Sequence, residues 1–94
     1  MPILTSATDH GVLVTIDRRE RRNALNLEAL EDLDAAVRAA VAGGARSLVL
    51  TGAAGHFCAG ADLTELEDIT FTRRLAQVLH HLATLPIVTI AAIE

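Results

Sequence analysis

The sequence has no tryptophan, tyrosine or lysine and only two phenylalanines, so its core must be built from aliphatic side chains and alanine. Its single cysteine, Cys58, excludes a disulfide scaffold and is typical of a reducing compartment. No apolar run is long enough to cross a bilayer, and the first residues lack the basic and apolar regions of a secretory leader. We therefore expect a cytoplasmic protein that makes no contact with a membrane.

The net charge and the length of the chain further limit which class of protein this is. The net charge of −4 argues against a nucleic-acid surface, although all eight basic residues are arginines. A chain of 94 residues is one small unit with a thin core and marginal stability. Apolar residues make up 51% of it, which is typical of a globular protein and not of a disordered one.

The first half of the chain predicts a βαβ arrangement after an opening hairpin. Residues 3–7 and 12–16 read as paired strands around a turn, and a charged loop follows at residues 17–22. Asn26 is a plausible N-cap for a helix with apolar residues at helical spacing, which Gly43 and Gly44 end. The apolar run 48–50 then predicts a parallel strand covered on both faces, reached by a right-handed crossover.

The last third predicts a second helix and a further strand. Apolar residues from Phe71 to Leu85 share one helical face, and Pro86 ends the pattern. The β-branched run 87–93 then indicates another buried parallel strand. In this chain alone, the backbone groups or apolar faces of this strand would be left uncovered. We therefore expect self-association or poor solubility.

The chain is organised around residues 47–64, which read as a strand, a glycine-rich loop and the start of a helix. Gly52 and Gly55 break the strand pattern, and Asp62 with Glu65 three residues later gives a capping pair. The N–H of Ala61 then lies just outside a helix N-terminus, where partial positive charge suits an anion or a developing oxyanion. On spacing alone, such a loop is more often an ordinary connection between a strand and a helix than an active site.

Two segments carry a resemblance to a known family. Residues 57–63, Phe-Cys-Ala-Gly-Ala-Asp-Leu, resemble the F-x-A-G-A-D-L/I signature of the crotonase (enoyl-CoA hydratase/isomerase) family, and residues 22–26, Arg-Asn-Ala-Leu-Asn, resemble its R-x-N-A-L-N segment. Arg19 stands where the family usually has proline, at a cost in loop rigidity. The resemblance implies an α/β fold of the ββα-repeat crotonase-like (ClpP/crotonase spiral) type, incomplete in this chain. Residues 1–94 would be the N-terminal part of an acyl-CoA domain whose C-terminal part is absent.

The resemblance also assigns site residues. It implies that the backbone N–H of Ala61 is one oxyanion-hole donor to the thioester carbonyl. The positions that match the walls of the acyl-CoA groove are Arg22, Ala24, Leu25, Ala59, Gly60, Asp62, Leu63 and Thr64. Competing interpretations are that Ala24 and Leu25 simply pack at the helix entry, and that Arg22 is only solvated.

The activity that the resemblance implies is addition of water to a 2-enoyl-CoA thioester. The acidic residues for this step would lie in the absent segment, and coenzyme A enters as part of the substrate, so no separate cofactor is expected. The intact protein would be a homo-oligomer, a trimer or hexamer. Alternatives are another crotonase-family reaction (isomerase or thioester hydrolase), a non-catalytic fragment with weak acyl-CoA binding, and an unrelated phosphate-binding βαβ domain.

Other candidate groups have structural interpretations. Cys58 and His56 lack a third group to orient the histidine, so we expect a packed, inert cysteine. His80 and His81 are adjacent on a helix and point about 100° apart, which does not suit a shared metal. We expect no metal site.

Overall fold

In the computed structural model, which describes residues 2–9, 11–55, 57–58 and 69–92, four strands form one sheet in the order β1-β2-β3-β4. The elements are β1 (Ile3–Ala7), β2 (Val12–Ile16), α1 (Leu27–Ala42), β3 (Ser47–Gly52), α2 (Ile69–Ala83) and β4 (Val88–Ala92). Single 3₁₀ turns lie at Arg19–Arg21 and Ala53–Gly55. The predicted order of strands and helices is therefore confirmed over the described residues.

Strand pairing follows the predicted pattern. β1 pairs antiparallel with β2, and the turn between them is closed by a hydrogen bond from the N–H of Thr8 to the carbonyl of Gly11 at 2.8 Å. β2 pairs parallel with β3, and β3 pairs parallel with β4. Two successive βαβ units thus follow the opening hairpin.

The ends of α1 are set by local chemistry that the sequence made visible. The side-chain oxygen of Asn26 accepts a hydrogen bond from the N–H of Ala29 at 2.9 Å and so caps the helix. At the other end Gly43 is the C-cap, and Gly44 has a φ of +83°, a left-handed conformation that glycine adopts without strain. Both predicted helix signals are confirmed.

The core lies on one side of the sheet. Val14 and Ile16 of β2 and Leu48 and Leu50 of β3 are buried, and they belong to one apolar cluster with residues of both helices. The helical members are Ala29, Leu30, Leu33, Val37, Ala40, Phe71 and Val78. Apart from Phe71, this layer is the aliphatic and alanine core that the composition predicts.

The opposite face of the sheet carries no helix within the described residues, and this corrects the expected burial of β3 and β4. Leu13, Val49 and Ile90 form one cross-strand row on that face; the first two are only half-buried and Ile90 is 50% exposed. All five residues of β4 are exposed, with Val88 at 62%. Apolar character predicted the strands correctly, but a strand is buried only where another layer covers it.

A polar junction ties α1 to α2. The carboxylate of Asp34 is 5% exposed, and its Oδ2 accepts hydrogen bonds at 2.8 Å from Arg38 on its own helix and from Arg74 on α2. Its Oδ1 lies 2.9 Å from Nδ1 of His81, and Arg74 also pairs with Glu31. A buried charge needs such partners, and here they come from both helices.

The junction shifts the titration of Asp34. Burial of the carboxylate raises its pKa, but the hydrogen bonds from Arg74, His81 and Arg38 outweigh burial and lower the pKa from 3.8 to about 2. Because the folded-state pKa is depressed, the resulting stability is present above pH 4 and is lost as the pH falls toward 2. The shift corresponds to about 2 kcal/mol.

We expect Asp34→Asn to lower the free energy of unfolding by about 2 kcal/mol at pH 7 and to flatten its decline between pH 4 and pH 2. Urea unfolding at a series of pH values measures both effects. Asp32→Asn on the same helix is the matched control and should keep the wild-type decline. An identical decline in Asp34→Asn and wild type would contradict the assignment.

The uncovered edge strand generates a second prediction. We expect concentration-dependent self-association of this chain in sedimentation velocity, because among the described residues β4 is an outer strand of the sheet with exposed apolar side chains. Val88→Lys places a charge on that strand and should reduce association, whereas Ala76→Lys adds the same charge on an exposed part of α2 and should not. A monomeric wild-type chain at all concentrations would refute the expectation.

Candidate functional site

The two motif segments leave the sheet at the same edge. β2 and β3 are parallel, with Ile16 opposite Gly52, so the loop after β2 and the loop after β3 both start at the carboxyl ends of their strands. Residues 22–26 lie on the first loop, and residues 57–58 on the second are the described part of the other motif. In open α/β sheets, ligands bind outside the carboxyl ends of strands.

Asn23 joins these two loops. Its side chain is fully buried, and its Nδ2 donates a hydrogen bond to the carbonyl of Ala53 at 2.9 Å. Its Oδ1 accepts a hydrogen bond from the N–H of Arg18 at 2.8 Å. One amide side chain therefore ties the start of the first loop to the first residue after β3.

The first loop is folded around Asn23 by backbone geometry. Arg22 and Asn23 have φ values of +53° and +60°, both left-handed. The N–H groups of Arg21 and Asn23 both donate to the carbonyl of Arg18 at 2.8 Å, and the Arg18 guanidinium donates to the carbonyl of Ala24. Asparagine tolerates the left-handed region better than most residues, which suits it to this position.

The loop after β3 is also left-handed at its turn. Ala54 has a φ of +58° and Gly55 a φ of +80°. Glycine meets this demand freely, whereas alanine is strained there. Beyond the turn, Phe57 and Cys58 are partly buried and pack against the core cluster, which confirms the expectation of a packed cysteine.

Arg19, which replaces the expected proline, lies in the 3₁₀ turn. Its guanidinium pairs with the carboxylate of Asp17 at 2.9 Å, and this hydrogen bond lowers the pKa of Asp17. The pair is exposed and contributes little to stability. The hydrogen bonds of Asn23 and Arg18, and not this exposed pair, tie the loop together.

The candidate binding residues of the first loop differ in exposure. Arg22 is exposed at the sheet edge, while Ala24 and Leu25 are each only 8% exposed, and Leu25 belongs to the core cluster. The helix-entry packing of Leu25 is thus confirmed. The remaining predicted site residues, Ala59, Gly60, Ala61, Asp62, Leu63 and Thr64, lie outside the described residues, as does His56.

The two histidines near the end of α2, His80 and His81, lie in different surroundings. His81 contacts Asp34, and His80 is exposed. In the described part of the chain, no three histidine, cysteine or acidic side chains come together as a metal site would require. The same residues contain no helix that is long and apolar enough to cross a membrane.

Two residues of structural weight were missed by sequence reasoning. Asn23 is part of the first motif segment, but no role was predicted for it. An asparagine in a loop between a strand and a helix could have indicated such a role. Asp34 could have been noticed as an acid among apolar helix positions with Arg38 four residues later. The partners from α2 and from the second loop are non-local, so no sequence pattern named them.

Comparisons with known proteins identify the fold. A family described as enoyl-CoA hydratase/isomerase matches residues 8–94. A relative named "Probable enoyl-CoA hydratase" from Mycobacterium tuberculosis is 53% identical over 51 residues, which is 54% of this chain and 21% of the relative. The family match includes both motif segments, residues 22–26 and 57–63.

Solved structures show the same arrangement. An enoyl-CoA hydratase from Thermoplasma volcanium superposes with a TM-score of 0.92 at 26% identity, over 100% of this chain and 40% of that chain. An enoyl-CoA hydratase/isomerase from Xanthobacter autotrophicus gives 0.91 at 29% identity, over 100% of this chain and 39% of that chain. This chain therefore spans well under half the length of these relatives. On the family match and the shared crotonase fold, it belongs to the enoyl-CoA hydratase/isomerase family.

Proposed function

We propose that the carboxyl edge of β2 and β3 forms the N-terminal half of an acyl-CoA site, and that the protein adds water to a 2-enoyl-CoA thioester. The observation that carries this proposal is the Asn23–Ala53 hydrogen bond, which brings the two motif loops together at the edge where α/β sheets bind ligands. Membership of the enoyl-CoA hydratase/isomerase family supports the substrate class.

In this proposal the chemical contribution of the chain is a backbone donor. The N–H of Ala61 donates to the thioester oxygen and stabilises the negative charge that develops there as the enolate forms. Such a donor needs geometry and no functional side chain, which fits the small residues Ala59 and Gly60 beside it. Residues 62–64 would complete the wall of the groove on this loop.

The first loop supplies the opposite wall. Leu25 anchors this wall to the core, and Ala24 is buried beside it. Because both are buried, they contribute shape more than side-chain contact. Arg22 is exposed and carries the charge suited to a coenzyme A phosphate. Isomerisation and thioester hydrolysis would use the same oxyanion donor, so the acidic groups of a complete protein decide among these reactions.

The proposal extends to cellular location, metabolic role and oligomeric state. We infer a cytoplasmic enzyme of fatty acid metabolism that works as a homo-oligomer, a trimer or hexamer, in its full-length form. A single cysteine and an exposed edge strand support this picture. Coenzyme A is bound as part of the substrate, without a separate cofactor.

The oxyanion role is tested by titrating the ¹⁵N-labelled chain with butyryl-CoA, free CoA and ADP. We expect the Ala61 amide to shift only with butyryl-CoA, which alone of the three ligands has a thioester carbonyl, while amides of residues 62–64 shift with both CoA species. An equal Ala61 response to ADP would favour the phosphate-binding alternative, and no response to any ligand would refute the proposal.

A substitution isolates the same donor. Ala61→Pro removes the N–H, so butyryl-CoA labelled with ¹³C at the carbonyl should lose the downfield shift that binding to wild type produces. In a full-length protein with turnover, loss of such a donor costs on the order of 10²–10³ in rate. A carbonyl shift that survives the proline would contradict the assignment.

The charge of Arg22 makes a separate prediction. Arg22→Gln should weaken CoA binding by about threefold to fivefold, and this loss should shrink as salt is raised, because an exposed ion pair is modest and screened. Arg46→Gln is the matched control, since Arg46 is an exposed residue just before β3, at the other edge of the sheet. Isothermal titration at two salt concentrations measures the difference, and equal losses in the two variants would exclude a specific phosphate contact.

A further inference from the structure

We infer that Asn23 is the positioning residue of this site: it holds the loop after β3 in register with the loop after β2 and thereby sets the affinity for the acyl-CoA ligand. The inference rests on the proposed function for its ligand. Its structural half, the locking of one loop to the other, stands on the contacts of Asn23 alone.

The position makes three separate demands on its side chain and backbone. A donor must reach the carbonyl of Ala53, an acceptor must take the N–H of Arg18, and the backbone must adopt a φ of +60°. Asparagine meets all three demands. An ionised aspartate lacks the donor, and glycine has the backbone freedom but neither side-chain bond.

Burial makes these bonds consequential. Asn23 has no exposed surface, so water cannot replace a partner that is removed. The carbonyl of Ala53 immediately precedes the left-handed turn at Ala54 and Gly55. The chain direction out of that turn leads toward Phe57 and Cys58, and Asn23 fixes the turn from outside its own segment.

The Asn23–Ala53 hydrogen bond joins the two loops that form the two walls of the proposed groove. Arg22 adjoins Asn23 and is also left-handed, so the same local fold directs the Arg22 backbone. Loss of the Asn23–Ala53 hydrogen bond would let the two walls move relative to one another. It would not change any group that contacts the ligand. Asn23 thus acts through other residues and is a positioning residue.

The test compares Asn23→Asp and Asn23→Gly with Asn26→Asp. Asn26→Asp adds the same charge in the same loop, and aspartate caps a helix as well as asparagine does. At a temperature where all four proteins are folded by circular dichroism, we expect both Asn23 variants to bind butyryl-CoA about tenfold or more weakly than wild type. Asn26→Asp should stay within about twofold.

Amide hydrogen exchange of the ligand-free proteins gives a readout that general destabilisation would not produce. We expect exchange in both Asn23 variants to accelerate more at residues 53–55, 57 and 58 than at residues 12–16 and 48–50 of the core strands. A role confined to overall stability would accelerate the core amides in parallel.

The outcomes separate this inference from the proposed function. If wild type fails to bind butyryl-CoA, the acyl-CoA proposal fails, while the exchange data still decide whether Asn23 locks the loop. If wild type binds and the Asn23 variants bind equally well, or if their loop amides exchange as slowly as in wild type, the inference is overturned.

Discussion

Parallel pairing of β2 with β3 is the constraint on which the rest of the structure depends. Strands that run in the same direction need a crossover, and α1 with its 16 residues provides it. The same pairing brings the carboxyl ends of both strands to one edge, so two loops far apart in sequence become neighbours. Burial of Val14 and Leu48, and the site loops alike, follow from this one arrangement.

Both described helices pack on the same face of the sheet, and neither packs on the other face. Both helices share the core cluster on the side of Val14 and Leu50, and Asp34 links them through Arg74 and His81. Within the four described strands, the opposite face presents uncharged side chains, among them the row of Leu13, Val49 and Ile90. A face without charge is typical of a surface that packs against a further layer in a larger assembly.

Local signals in the sequence predicted the elements well, since caps and periodicity act within a few residues. Asn26 and Gly44 mark the limits of α1 by their own hydrogen bonding and backbone freedom. Burial was predicted less well, because the exposure of Val88 depends on what lies beside the strand and not on its composition. Of the candidate site, the sequence identified the two motif segments, and the family match over residues 8–94 includes both of them.

The contact between those segments could not be read from the sequence. Asn23 meets Ala53 only because a helix and a strand intervene with the right lengths, and Asp34 meets residues of α2 for the same reason. A single sequence carries the residue types that such bonds need and no record of which residues they join. Non-local polar contacts are therefore the part of a site that a structure adds.

The Asn23–Ala53 bond also has a consequence for how the protein comes into being. It spans 30 residues of sequence, so it cannot close until β3 has been synthesised and has added to the sheet. On a ribosome, the loop after β2 emerges first and waits in an unlocked form. The loop arrangement on which the proposed groove depends is thus completed late in folding, in the same step that commits the chain to its parallel topology.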